Sequence, residues 1–125
     1  MTGERRGFTL IELLVVLAIV AMLVTLALPR YTGRLERARQ QVLAENLRVT
    51  RDAIGKFYAD RRRYPETLQE LVDARYLRAL PVDPVLESDH AWLLAPPEPP
   101  ATGGVADLHS AAPGATPDGV ALGSL

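Results

Sequence analysis

The chain of 125 residues has no cysteine, only two histidines and a single tryptophan. Without cysteine there is no disulfide scaffold, no zinc–thiolate centre and no thiol nucleophile. That absence does not fix a compartment, since oxidising compartments also hold cysteine-free proteins. His90 and His109 have no second His or Cys at metal-ligand spacing. His109 and Ser110 are neighbours in sequence, and on a strand neighbours point to opposite faces. There is no P-loop, no Gly-rich dinucleotide fingerprint and no paired-carboxylate motif. No catalytic constellation is left, which argues against an enzyme. The length allows one domain at most, and 48% apolar residues exclude simple disorder.

What is present is unevenly spread. Leu13 to Leu28 holds one polar residue, Thr25. A helix over Phe8–Leu28 runs about 31 Å, close to the ~30 Å of a bilayer hydrocarbon core. This stretch is too uniformly apolar for an amphipathic helix and implies a membrane. A permanent anchor, a secretory signal peptide and a processed subunit whose helix later leaves the bilayer all fit so far. Arg5 and Arg6 would suit the basic start of a signal peptide, and Thr25-Leu26-Ala27 its cleavage site. Glu12 does not suit one: a carboxylate in an apolar helix costs on the order of 3 kcal/mol in lipid and needs a partner.

Charge is just as uneven. Residues 1–29 sum to zero, residues 30–63 to +6 and residues 64–125 to −7. A basic segment joined to an acidic one suggests mutual contact or subunit association more than nucleic-acid binding. Arg30, Arg34, Arg37 and Arg39 come after the apolar run. Counted alone, the positive-inside rule would place the C-terminal part of the chain in the cytoplasm.

Residues 3–12 read Gly-Glu-Arg-Arg-Gly-Phe-Thr-Leu-Ile-Glu. A short basic leader ending in Gly7, then Phe8, Thr9, Leu10, Ile11, Glu12 and a long apolar run, resembles the type IV pilin-like proteins, the superfamily of pilins and type II secretion pseudopilins. The resemblance implies cleavage between Gly7 and Phe8 by a membrane aspartyl peptidase, and methylation of the new Phe8 amine. Gly7 suits a subsite that tolerates no side chain. Glu12 would then face the cationic N-terminal amine of a neighbouring subunit, which removes the penalty of a lone carboxylate in lipid.

Beyond Pro29, apolar or small residues fall at Tyr31, Leu35, Ala38, Val42, Leu43, Leu47, Ile54, Phe57 and Tyr58, a spacing that keeps to one helical face. One helix from about Phe8 to Arg62 would be roughly 80 Å long. Pro29 lacks an N–H and Gly33 weakens the same place, so the helix has a weak point there or divides in two. The resemblance implies the continuous helix, locally unwound when subunits pack into a fibre. Such fibres grow by a head-to-tail contact that does not close.

From Tyr64 the composition changes, and nine of the ten prolines lie beyond it. Tyr64-Pro65 ends the long helix. Glu66–Ala74 reads as a short helix with Leu68, Leu71 and Val72 on its apolar face. Pro81-Val82-Asp83-Pro84 reads as a turn. Ala91–Leu94 and Val105–His109 read as two short antiparallel strands joined through a Pro-rich stretch and Gly103-Gly104. After Ser110 the chain reads as irregular. A head this small needs the long helix as a wall, with Leu47, Ile54, Phe57 and Tyr58 under the sheet and Trp92 at the centre of the contact.

Arg63-Tyr64-Pro65, Tyr76-Leu77, Leu80 to Pro84, Trp92, Asp107 to Ser110 and Pro117-Asp118-Gly119 resemble the major (G-type) pseudopilins of type II secretion. Type IV pilins usually close their C-terminal region with a disulfide, which this chain cannot form. The resemblance implies an α+β pilin-like fold. Residues 1–7 form a leader, 8–29 the transmembrane and assembly half of the long helix, 30–63 its amphipathic half, and 64–125 a small periplasmic head. It also implies an inner-membrane protein that polymerises with itself and with other pseudopilins. Prepilin peptidase and an inner-membrane assembly platform are the further partners, and nucleic acid is not one. Major pseudopilins bind calcium in the C-terminal loop through an Asp-Gly turn, carbonyl oxygens and downstream acids. Asp118-Gly119 matches the turn, but no acid comes after it. Calcium takes six to eight oxygens, so Asp118 with carbonyls would make a weak site, with Asp107 as another donor. The other reading is an ordinary turn. Two further function readings stand beside the pseudopilin: a type IV or minor pilin, and a monomeric membrane-anchored binding module.

Overall fold

A computed structural model describes residues 9–125, and for residues 29, 30 and 32 the backbone alone. Along the chain come α1 (Leu10–Arg61), α2 (Leu68–Asp73), β1 (Leu93–Ala95), β2 (Asp107–His109) and a closing 3-10 helix (Leu122–Ser124). This is the expected α+β architecture. The chain divides into two units, Met1–Glu36 and Arg37–Leu125.

The first unit carries the start of α1. Its apolar side chains are all exposed, from Leu10 at 81% to Leu28 at 55%. The helix is long and apolar enough to cross a membrane. The Thr25 hydroxyl donates to the Ala21 carbonyl at 2.8 Å, so this polar group is satisfied within the helix, as lipid requires. The backbone stays helical through Pro29 and Gly33. There is one helix here and not two.

The second unit has a core. Leu43, Leu47, Ile54 and Phe57 of α1 meet Leu68, Leu71, Trp92, Val105, Leu108, Ala112 and Leu122. The helix is thus the expected wall. Leu47, Ile54 and Phe57 are buried as expected; Thr50 and Ala53 join them, while Val42, expected on the same face, remains 48% exposed. Two apolar rows of similar spacing lie side by side on α1, rotated by about one residue, ~100°. Only the row through Leu43, Leu47, Thr50, Ile54 and Phe57 faces the head. Tyr58 is half-buried and stacks on Tyr64, with ring centroids 4.6 Å apart.

α1 stops at Arg62, whose φ of 58° is left-handed. α2 is shorter than expected because Thr67 sits outside it in an extended conformation, with its side chain accepting from the Glu70 N–H. The strands also lie a little later than expected, with Leu93 opposite His109, Leu94 opposite Leu108 and Ala95 opposite Asp107. The link between them needs both glycines. Gly103 has φ 126°, and a Cβ on Gly103 or Gly104 would run into the carbonyl of Tyr64 or Glu66. That close approach lets the Gly104 and Val105 N–H groups donate to the Pro65 carbonyl at 3.0 and 2.9 Å.

The segment after Ser110 is irregular, as expected, apart from one bridge and the closing 3-10 helix, yet it packs against the head. Leu122 is 1% exposed, Ala115 bridges Ala121, and the Leu122 N–H donates to the Gly114 carbonyl at 3.0 Å. Burial of Leu122 and Ala112 against the helix wall supplies the drive. Asp83 does more than begin a turn. It is fully buried, its Oδ1 accepts from the Val85 and Leu86 N–H groups at 2.9 and 3.2 Å, and its Oδ2 accepts from the Ser110 hydroxyl. Ser110 Oγ in turn accepts from the Ala112 N–H at 3.0 Å. One buried node therefore joins the turn to the segment leaving β2. Trp92 donates its indole N–H to the Pro81 carbonyl at 2.8 Å beside it.

Candidate functional site

Gly7 and Phe8 lie outside the described residues. Glu12 stands in the first turn of α1 and is exposed. Its N–H donates to Thr9 Oγ1 at 3.3 Å, and the Leu13 N–H donates to the Thr9 carbonyl at 3.2 Å. Thr9 is thus the helix cap, at the three-residue spacing from Glu12 that marks a capping box. The spacing is readable in the sequence, although Thr9 stands out there only as a member of the motif. The cap fixes where the helix begins. It puts the Glu12 carboxylate at the positive end of the helix dipole, worth about 0.3–1 kcal/mol. Around it lie exposed Leu10, Ile11, Leu13, Val15 and Val16.

In the second unit the basic segment and the acidic head do meet. Arg63 forms a two-pronged pair with Glu70 at 3.0 and 2.7 Å, and Arg51 reaches Asp107 at 2.7 Å. Arg39 and Glu87 are looser at 3.8 Å and exposed, so they add little. The Arg63 guanidinium, helped by the Glu66 N–H, holds the Glu70 carboxyl down at about 2 against an ordinary 4.5. Burial pushes Asp107 up, but the Arg51 guanidinium and the Leu108 N–H outweigh it and leave it below the usual carboxylate range. The Tyr76 hydroxyl donates to Asp60 at 2.6 Å; that bond, with burial, raises the phenol.

Asp118 does not meet the needs of calcium. It lies in an exposed turn closed by Gly119 N–H to the Thr116 carbonyl at 2.9 Å and Thr116 N–H to the Val120 carbonyl at 2.8 Å. The groove beside it is lined by Arg37, Gln40 and Gln41, which bring a positive charge and no carboxylate. Asp107 is already engaged by Arg51. Among the described residues no three His, Asp or Glu side chains come together. A cation that takes six to eight oxygens would find one acidic side chain in this turn, Asp118, with an arginine beside it.

Comparison with known proteins adds a separate line. Residues 4–28 match the prokaryotic N-terminal methylation motif. The type II secretion system core protein G of Klebsiella pneumoniae is 33% identical over 92% of this chain and 89% of its own length. The protein of the same name from Escherichia coli is 31% identical over 66% of this chain and 68% of its own. The type IV major pilin protein PilA of Myxococcus xanthus is 35% identical over 54% of this chain and 31% of its own. No solved structure matches.

Proposed function

The chain belongs to the family of type II secretion system core protein G, and from that premise we propose that it is a structural subunit, not an enzyme, which polymerises into a periplasmic pseudopilus. The observation that carries this reading is Glu12 at the start of an exposed apolar helix, both inside the stretch of residues 4–28 that matches the methylation motif. In this account prepilin peptidase cuts between Gly7 and Phe8 and the Phe8 amine is methylated. The subunit waits in the inner membrane with its head in the periplasm. On assembly the apolar helices leave lipid for one another, and each Glu12 receives the N-terminal cation of a neighbour. Burying that pair together avoids the several kcal/mol that a lone intramembrane charge costs. Pro29 and Gly33 provide the place where the helix gives way as subunits pack. Other pseudopilins and an inner-membrane assembly platform are the remaining partners.

A type IV pilin is the second reading, favoured by the similarity to PilA. That similarity covers 54% of the chain, whereas the likeness to the Klebsiella core protein covers 92%. The test is Glu12→Ala in the full chain. Its head should melt at the wild-type midpoint while filament yield collapses. Normal filaments from the variant would remove Glu12 from assembly.

A further inference from the structure

The segment that leaves β2 returns to α1, and Arg51 receives it. Arg51 Nε donates to Asp107 Oδ1 at 2.7 Å, and Nη2 donates to the Leu108 carbonyl at 2.9 Å and to the Leu125 main-chain oxygen at 2.6 Å. One guanidinium thus gathers a carboxylate and two main-chain oxygens that lie 56, 57 and 74 residues away in sequence. His109 adds a second nitrogen-rich group, with Nε2 3.5 Å from Asp107 Oδ2 and Nδ1 3.3 Å from the Leu125 oxygen. A carboxylate plus main-chain oxygens is the donor set with which a hard cation ties a loop. Here the cation is a side chain of the helix wall, and its planar fork of donors matches those oxygens.

We infer that this head closes its C-terminal segment with the Arg51 guanidinium in place of a divalent cation, so that residues 110–125 are held without calcium. A calcium ion brought to Asp107 meets Arg51, and one brought to Asp118 meets Arg37. At Asp107 like charge opposes it at short range, and at Asp118 the groove beside the turn already carries a positive charge. The inference goes beyond the assembly role and does not depend on polymerisation, because it concerns a single head.

The test is hydrogen exchange by mass spectrometry on the full chain in detergent micelles, in excess calcium and in excess chelator. The protection of residues 110–125 and the melting midpoint of the Trp92 signal should be the same in both. Protection or a midpoint that rises with calcium overturns the inference. Arg51→Lys keeps the charge and loses the fork. Exchange over residues 107–125 should then speed up by about tenfold or more, as for one lost charged hydrogen bond, while residues 83–88 keep their protection. Unchanged exchange over 107–125 would show that Arg51 does not close the segment. If the variant fails to fold, the calcium comparison on the wild type decides alone.

Discussion

The same helix behaves in two ways. Before Arg37 its apolar side chains are exposed without exception from Leu10 to Leu28, and after it one row of them is sealed to within a few per cent. Composition sets part of it: leucine, valine and isoleucine crowd α1 before Arg37, whereas after it fewer of them lie spaced among charged residues. The rest of the difference lies in whether the covering partner is encoded in the same chain. The second unit carries its own cover in α2, the two strands and the Leu122 turn. Among the described residues the first carries none, and an apolar rod of that length needs a bilayer or another apolar surface to cover it.

That contrast can be broken most strongly by truncating an apolar side chain in each unit. Phe57→Ala should lower head stability by about 3–5 kcal/mol, since the ring is fully buried against Tyr76 and the core. Leu17→Ala, at a residue 64% exposed, should leave the head within roughly 0.5 kcal/mol of wild type. Chemical denaturation followed by Trp92 fluorescence reads both, and equal losses would erase the distinction. A smaller effect sharpens the account of the second unit. Ser110→Ala leaves a buried Asp83 oxygen without its hydroxyl donor and should cost about 1–3 kcal/mol in the same assay. Wild-type stability in that variant would mean that the node contributes nothing.

The smallest effect is a pH dependence. Glu70 is an acid whose value in the folded chain, about 2, lies below its ordinary 4.5. Its pair with Arg63 therefore stabilises fully above pH 4.5, and that contribution disappears as the pH falls from 4.5 toward about 2. The stability gap between wild type and Glu70→Gln should be open at neutral pH and close over that window. Thermal melts across the acid range measure it, and a gap that stays constant would deny the pair its role.

Much of this was legible in the sequence because it rests on local rules. The apolar run, the Glu12 anomaly, the stop at Tyr64-Pro65, the short helix, the strand pair and the helix wall with Trp92 all come from hydropathy, spacing and turn chemistry. What stayed hidden depends on long-range geometry. Two apolar rows on α1 share one period, so counting merges Val42 with Leu43 and Leu47. Only the docked head separates them. Asp83 and Ser110 are 27 residues apart, and nothing near either marks the other. Leu122 lies in an Ala- and Gly-rich irregular stretch, and its burial emerges only at the helix wall. Arg51 was one of ten bases in a segment, and its three acceptors lie on β2 and at Leu125. At the N-terminus the three-residue spacing of Thr9 and Glu12 is visible in the sequence, but that Thr9 caps α1 emerges only once the helix is built.

The central claim is that the apolar half is processed for assembly and not merely anchored. Intact mass spectrometry on the protein purified from its own membrane tests it most directly. The account predicts a chain that begins at Phe8 and carries one added methyl group. A chain that still begins at Met1, or one that begins near Leu28, would contradict it.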